Sequence, residues 1–315
     1  MTKMPLVSVI IPCFNHGRYL GDAIESALKQ SYRRLEIIVV DDGSTDDSSR
    51  IARQYSDVRL INQGNCGLSR ARNAGLEASR GDYLVFLDAD DRLLPGAVEA
   101  GLNCLDCRPD CAFVYGYYRL MKPDGVPMSS SQGRCPKEEP FLDMLRSNYI
   151  GMHATVMYRR TVFDSVEWFD TSITACEDYD LYLRITRNFP IYCHGKLVAE
   201  YRQHGSNMSC DAGLMLKTSL RALGSQRKYI RGNRQAQTAY KAGIRNWQEY
   251  YGKKLLKVVR SSAEAREWKK VLKGLYTLLR YYPRGVANRA AKKIKEIATR
   301  APKLFSAKMS RQSGG

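Results

Sequence analysis

The sequence sets Asp88-Ala89-Asp90-Asp91 directly behind an apolar run, Tyr83 to Leu87. Alternate residues of an extended chain point the same way, so Asp88 and Asp90 share a side. Two carboxylates held together repel unless a cation neutralises them. Mg²⁺ or Mn²⁺ suits that task, taking one or two carboxylates and filling its remaining positions with substrate phosphate oxygens. The competing role is helix capping, with Pro95 fit for a first helical turn; that role, or plain solvation, is assigned to Asp91. A second acidic cluster, Asp41-Asp42-Gly43-Ser44, has the composition of a turn. Its carboxylates are also able to accept hydrogen bonds from a base or from ribose hydroxyls. A third polar cluster is Pro12-Cys13-Phe14-Asn15. Positive charge for a diphosphate is available from Arg70 or Arg72 in Gly67-Leu68-Ser69-Arg70-Ala71-Arg72-Asn73, unless those arginines are merely solvated.

Regular elements must carry these clusters. Val7 to Ile11 and Glu36 to Val40 read as buried strands, and Val58 to Asn62 as a short one. Tyr83 to Leu87 is a further buried strand. Helical spacing spans Gly17 to Lys29 through Leu20, Ile24, Ala27 and Leu28. Asp46 is placed to N-cap the next helix, which carries Ile51, Ala52 and Tyr55. Gly67 to Ser79 reads as a helix with a row of small residues. Strand and helix in alternation, with fully apolar strands, imply a parallel sheet covered on both faces. Ligands of such sheets bind beyond the carboxyl ends of the strands. All three polar clusters lie at such ends.

Several classes are excluded or disfavoured. No G-x-G-x-x-G follows the first strand and no G-x-x-x-x-G-K-[ST] occurs, which disfavours a dinucleotide dehydrogenase and a P-loop NTPase. No apolar run approaches the roughly 20 residues of a membrane span. The N-terminus lacks the apolar core and cleavage site of a secretory signal. Nine cysteines are an odd count. Cys104 and Cys107 form a C-x-x-C followed by Cys111, but no second pair stands at zinc spacing. Reduced thiols in a cytosolic compartment are the simplest reading.

The ordered set Val9-Ile10-Ile11-Pro12-x-Phe14-Asn15, Val39-Val40-Asp41-Asp42-Gly43-Ser44-x-Asp46, Asn65-x-Gly67-x-Ser69-x-Ala71-Arg72-Asn73-x-Gly75 and Leu87-Asp88-Ala89-Asp90-Asp91 resembles the family 2 inverting glycosyltransferases. The likeness is close over residues 5–100 and looser to about 210. It implies the α/β GT-A fold, a Rossmann-like, mostly parallel sheet with helices on both faces. It also implies roles. Pro12, Cys13, Phe14, Asn15, Asp41 and Asp42 would line the nucleotide pocket, with Asp41 or Asp42 on the base. Arg72 and Asn73 would lie near the ribose or diphosphate. Asp88-Ala89-Asp90 matches the D-x-D motif, Asp88 toward the ribose and the metal, Asp90 toward the metal. Glu177-Asp178 resembles the catalytic E-D pair, with Asp178 as general base; its place at a helix start also fits a cap. Asp180 is the nearest competitor and is expected to be solvated.

Tyr201-Arg202-Gln203-His204-Gly205-Ser206-Asn207-Met208-Ser209 resembles the R-x-H-x-x-N-M-S segment of non-processive bacterial members. There His204 would complete the metal shell, and Arg202 or Ser209 would approach the phosphates. His153 is a further candidate to face sugar or acceptor. Two positions depart from the family pattern: Cys13 replaces Thr or Ser, and Glu167-Trp168-Phe169-Asp170 replaces Gly-Gly-Phe-Asp. The Q-x-x-R-W segment of processive synthases is missing, which favours single-sugar transfer.

Charge divides the chain unevenly. Residues 1–211 hold 24 basic and 28 acidic groups, whereas residues 212–315 hold 26 basic and 4 acidic, a net of +22. The expected organisation is a catalytic domain over 1–211, with a nucleotide-sugar half to about 100 and an acceptor half beyond. A basic helical extension over 212–305 and a disordered tail over 306–315 follow. In the extension, Ile244, Trp247, Tyr251, Leu255 and Val258 share one helical face. Trp268, Val271, Leu272, Leu275, Leu279 and Tyr282 share another, opposite Lys269, Lys270, Lys273 and Arg280. After Pro283, Ala287, Ala290, Ala291, Ile294 and Ile297 follow. These helices either pack on the body or adsorb to an anionic cytoplasmic leaflet. Nucleic acid is disfavoured, for no recognition signature accompanies the charge.

The expected protein is thus a cytoplasmic, metal-dependent, inverting transferase, peripheral to the inner membrane face. It would move one sugar from a nucleotide donor, UDP-linked, to a cell-envelope glycan or lipid-linked acceptor. The rivals are a GT-A-like nucleotidyltransferase and an inactive fold that binds membrane or nucleic acid through the basic tail.

Overall fold

The computed structural model describes residues 4–136, 139–289 and 291. In chain order the elements are β1 (Val7–Cys13), α1 (Gly17–Leu28), β2 (Leu35–Asp41), α2 (Ser48–Ala52), β3 (Val58–Asn62), α3 (Leu68–Ala78), β4 (Tyr83–Phe86), β5 (Arg92–Leu93) and α4 (Ala97–Asp106). Then come β6 (Phe113–Met121), β7 (Pro127–Gln132), α5 (Pro140–Arg146), β8 (Val156–Arg159), α6 (Val162–Ser165), α7 (Glu177–Thr186), β9 (Ile191–Arg202), α8 (Ala212–Ser225), α9 (Arg234–Glu264) and α10 (Trp268–Tyr281). The strands form one nine-stranded sheet in the order β3-β2-β1-β4-β8-β6-β9-β5, with β7 on β6.

The first four strands are parallel, as their continuous apolar sequences require. Both faces of β1 and β2 are covered. Val9, Ile11, Ile37 and Val39 join Leu20 and Ile24 of α1 in the main core, while Ile38 and Val40 meet Ala71 of α3 on the other side. The small residues of α3 let that helix lie directly on the sheet. A Cβ added at Gly75 would stand 2.3 Å from Ile10 Cγ2, so Gly75→Ala overpacks the contact by about 1–3 kcal/mol. Beyond β4 the sheet becomes mixed, since β8 runs antiparallel to both β4 and β6.

Asp46 does more than begin α2. Its Oδ1 accepts the Ser48 N–H (3.0 Å), and its Oδ2 accepts the Gly17 N–H (2.9 Å) at the start of α1. The N-cap position of α2 belongs to Asp47. One carboxylate thereby ties two helix starts together.

One expectation is corrected among the cysteines. Cys135 and Cys193, 58 residues apart, form a disulfide with Cα atoms 5.3 Å apart. The sequence interval hides that both border β6: Cys193 pairs with Tyr115 across the sheet, and Cys135 lies 3.4 Å from the Tyr117 hydroxyl. Cys104, Cys107 and Cys111 carry no disulfide.

The chain divides into two compact units. One comprises Met1–Cys210 and Thr218–Ile244, the other Asp211–Lys217 and Arg245–Gly315. Residues 218–244 thus group with the sheet rather than with the basic extension. In the second unit α9 and α10 pack through a close approach at Gly274, where an added Cβ would stand 2.4 Å from Val259 Cγ2. The buried face of α10 is Val271, Gly274 and Leu278. Trp268, Leu272 and Leu279, expected on that same face, are instead exposed. Glycine lets the helices approach too closely for the large side chains to share the contact. The expected helix over Ala290, Ile294 and Ile297 and the tail from Ser306 lie outside the described residues. Among the described residues, no helix is long and apolar enough to cross a membrane.

Candidate active site

The parallel register carries three strand ends to one edge. Cys13 faces Asp41, and Ile10 faces Phe86, so the segment after β4 emerges beside Pro12 to Asn15. At β2 the acidic turn is internally saturated. Asp41 accepts from the Ser44 N–H (2.9 Å) and from the Ser49 hydroxyl. Asp42 accepts from Gln63 Nε2 (2.7 Å), the Cys66 N–H (2.9 Å) and the Gly67 N–H (2.8 Å). Asn15, at φ 55°, accepts the Thr45 N–H at 2.8 Å. Cys13 and Pro12 are buried, whereas Phe14 is exposed. Burial raises the Cys13 thiol to about 11, so the position is inert rather than nucleophilic.

At β4 the arrangement differs. The two-residue strand β5 pairs antiparallel with β9, which draws the end of β9 against Asp90 and Asp91. His204 Nε2 then lies 2.9 Å from Asp90 Oδ2, across 114 residues of chain. His16, at the N-cap of α1, brings its Nε2 to 4.0 Å from the same oxygen. One donor atom from each of His16, Asp90 and His204 lies within 4.8 Å of the other two. Ser206 Oγ holds His204 Nδ1 at 2.8 Å, and the Tyr19 ring stacks on the imidazole at 5.0 Å. These contacts fix the ring orientation, as metal-binding imidazoles require. Burial first, then the Asp88 charge, pushes the Asp90 carboxyl up; the two histidines lie close enough to oppose that shift.

Arg202 is buried behind this cluster. Its Nε donates to the Asp90 carbonyl (2.8 Å), its Nη2 to Asp22 (2.7 Å), and its N–H to Asp91 Oδ1 (2.8 Å). Asp91 is buried and therefore braces β9, in place of the capping or solvation expected of it. Ser209 is exposed and meets the Tyr201 hydroxyl at 2.9 Å.

A second line of contacts leads to the acceptor half. Arg72 is almost fully buried; its Nη2 donates to Asp88 Oδ1 at 2.7 Å and its Nη1 to Glu177 Oε1. Burial disfavours the cation, but Asp88 and Glu177 outweigh it and keep Arg72 protonated. The bridge links the segment after β4 to the first residue of α7. Asp178 follows, half-buried, accepting the Tyr179 N–H at 2.7 Å. Burial and then the Glu177 charge push its carboxyl up to about 7, with Arg72 opposing. Cys176, which precedes the helix, has φ 61°, a left-handed conformation uncommon outside glycine. Such strain recurs where a site is held in one geometry.

The remaining candidates are placed as follows. Asn73 exchanges two hydrogen bonds with the Phe169 backbone (2.9 and 3.0 Å), anchoring the loop that leads to Asp178. Arg70 is exposed. His153 is buried, stacked on Phe86 at 5.0 Å and 3.0 Å from the Tyr158 hydroxyl. Burial and the Arg72 charge hold His153 well below the usual range, hence neutral. Asp180 was expected in solvent but is buried against Arg184 (2.8 Å), because α7 turns that face inward. His16 was missed. Its signal was present: it directly follows the polar cluster of β1, and the chain has only four histidines.

Known proteins locate this arrangement. The model for Glycosyl transferase family 2 matches residues 8–166. A putative teichuronic acid biosynthesis glycosyltransferase of Bacillus subtilis, TuaG, is 33% identical over 211 residues, covering 65% of this chain and 82% of that protein. The chain belongs to glycosyl transferase family 2. It spans from 30% to 65% of the length of several other curated relatives. S. aureus TarS 1–349 in complex with UDP has a TM-score of 0.57 at 17% identity, covering 78% of this chain and 72% of that one. The mannosyltransferase PcManGT of Pyrobaculum calidifontis, in complex with GDP-Man and Mn²⁺, has a TM-score of 0.55 at 15% identity, covering 88% and 86%. The fold is that of the GT-A glycosyltransferases, with a C-terminal helical region added.

Proposed function

We propose that the protein is a metal-dependent, inverting transferase. It moves a single sugar from a nucleotide-diphosphate donor, UDP-linked, to a cell-envelope glycan or lipid-linked acceptor on the cytoplasmic side of the membrane. One observation carries the reading. A buried ion-pair bridge from Asp88 through Arg72 to Glu177 ties the segment that carries Asp90 to the segment that carries Asp178.

His16, Asp90 and His204 would hold the cation. Two imidazoles and one carboxylate form a set of intermediate softness, which fits Mn²⁺ better than the oxygen-demanding Mg²⁺. When bound, the ion would neutralise charge on the diphosphate. The remaining chemistry belongs to the chain. Asp178, poised near neutrality, takes the proton of the acceptor hydroxyl. That oxygen forms a bond to the anomeric carbon from the face opposite the diphosphate. The bond from that carbon to the diphosphate oxygen breaks, and its electron pair leaves with the nucleotide. Glu177 and Arg72 set the position and charge around the base. Support for the donor class comes from the relatives in complex with UDP and GDP-Man.

The test is a donor panel. Thermal melts with Mn²⁺ and each nucleotide sugar are followed by proton NMR of the product anomer. Stabilisation by a UDP-sugar that His204→Ala abolishes, with inverted product, is the expected result. Retained anomeric configuration, or nucleotide transfer in place of sugar transfer, would overturn it.

A further inference from the structure

α10 carries two apolar faces, and among the described residues only one of them is used in packing. Val271, Gly274 and Leu278 are buried, and Gly274 brings α10 directly against Val259 of α9. At roughly 100° per residue, a second arc lies about a quarter-turn or slightly more away. It contains Trp268, Leu272, Leu275, Tyr276 and Leu279, exposed by 61%, 68%, 39%, 67% and 61%. Lys269, Lys273 and Arg280 border that arc on its far side. Isolated apolar side chains on a surface need no explanation, but five on one helical face form a contiguous patch of the kind that marks an interaction site.

We propose that this outward face of α10 seats on an anionic lipid surface, the helix lying flat in the headgroup region. The side-chain types fit that occupant. An indole and a phenol prefer the boundary between water and hydrocarbon, and three leucines reach below it. Lysine and arginine at the border of the arc extend their charged ends to anionic headgroups while their stems stay on the apolar side. The net charge of +22 over residues 212–315 complements such a surface. A protein partner of ordinary composition has no need for that excess. The inference is independent of the sugar-transfer reading and stands if the donor proves different.

The experiment sediments the full chain with phosphatidylcholine vesicles, with and without about 30 mol% phosphatidylglycerol. Binding at least about tenfold stronger to the anionic vesicles is expected. Changing Trp268, Leu272, Tyr276 and Leu279 together to serine should abolish it, with helix content by circular dichroism unchanged. Lys269→Gln, Lys273→Gln and Arg280→Gln together should remove the preference for anionic lipid. A measurement without large substitutions guards against misfolding: brominated lipid should quench tryptophan emission of the parent, and Trp268→Phe should lose most of that quenching. Three outcomes overturn the proposal. One is equal sedimentation of parent and serine variant, or quenching unaffected by Trp268→Phe. Another is a concentration-dependent dimer that the serine variant abolishes, which assigns the face to a second copy. The last is binding that appears only after deletion of residues 292–315, which assigns the face to that segment instead of lipid.

Discussion

Two acidic clusters at strand ends on either side of β1 are built from the same residue type and are held differently. After β2, Asp42 receives three hydrogen bonds from the loop before α3, and Asp41 receives one from Ser44 of its own turn and one from Ser49 of α2. Their oxygens stabilise the loop that presents them. After β4 and at the start of α7, partners are scarcer or are themselves ionisable. Asp90 faces two imidazoles, Asp88 and Glu177 share one guanidinium, and Glu177 Oε2 is buried without a hydrogen-bond partner. Asp178 is pushed up to about 7 by burial and its acidic neighbour. A carboxylate held by several hydrogen bonds from one loop is fixed in place. One that is desolvated beside another carboxylate, as Asp178 is, is poised to change its charge. Composition does not separate the two; the count of donors does.

The contrast predicts its own failures. The largest effect falls on the poised side. Asp178→Asn should lower kcat by about 10³-fold with donor affinity kept, as removal of a general base does. Preserved transfer would return Asp178 to the role of a helix cap. The same variant should be more stable than the parent at neutral pH. The folded carboxyl titrates above the unfolded value of about 3.9, so its protonated form favours the fold. The parent therefore loses stability as pH rises from about 4 to about 7, and the asparagine variant escapes that loss. Thermal melts across this window check the sign.

Arg72→Leu should destabilise the fold by about 3–5 kcal/mol, since it strands two carboxylates. In what remains folded, the Asp178 limb of the kcat/KM profile should move to higher pH, because the opposing positive charge is gone. An unmoved limb would mean that Arg72 braces the loop without tuning the base. On the saturated side, Asp42→Ala should cost about 3 kcal/mol through three lost hydrogen bonds, with kcat per folded molecule within about threefold of the parent. A fall in kcat without a fall in Tm would erase the distinction between the clusters. The smallest effect is expected at His16. Its Nε2 is the farther of the two imidazole donors from Asp90, so His16→Gln should weaken Mn²⁺ by several-fold, against about 10–100-fold for His204→Ala. Equal losses would make the two histidines equivalent.

Much of this was legible in the amino-acid order. Apolar runs of Val and Ile between turn residues dictate buried parallel strands, because a strand covered on both faces has no polar side to show. Polar clusters at the ends of those runs then fall at one edge of the sheet. Asp88 and Asp90 stand out for that reason, whereas Glu177-Asp178, at a helix start, stands out only by its resemblance to the family's acidic pair. Other features depended on pairing between distant segments. His16 directly follows the polar cluster of β1, but its partners are set only when β5 lies on β9 and carries His204 to Asp90. The bridge from Arg72 to both Asp88 and Glu177 spans 105 residues. The disulfide joins segments known to be neighbours only from β6. On α10 the helical spacing grouped Trp268, Val271, Leu272, Leu275, Leu279 and Tyr282 on one apolar face but left open which of them pack; the close approach at Gly274 decides that by how near two backbones come. Local order sets backbone conformation and burial tendency through short-range sterics and hydrophobicity. Which charges meet is decided by sheet order, because electrostatic and hydrogen-bond partners are chosen by distance in space.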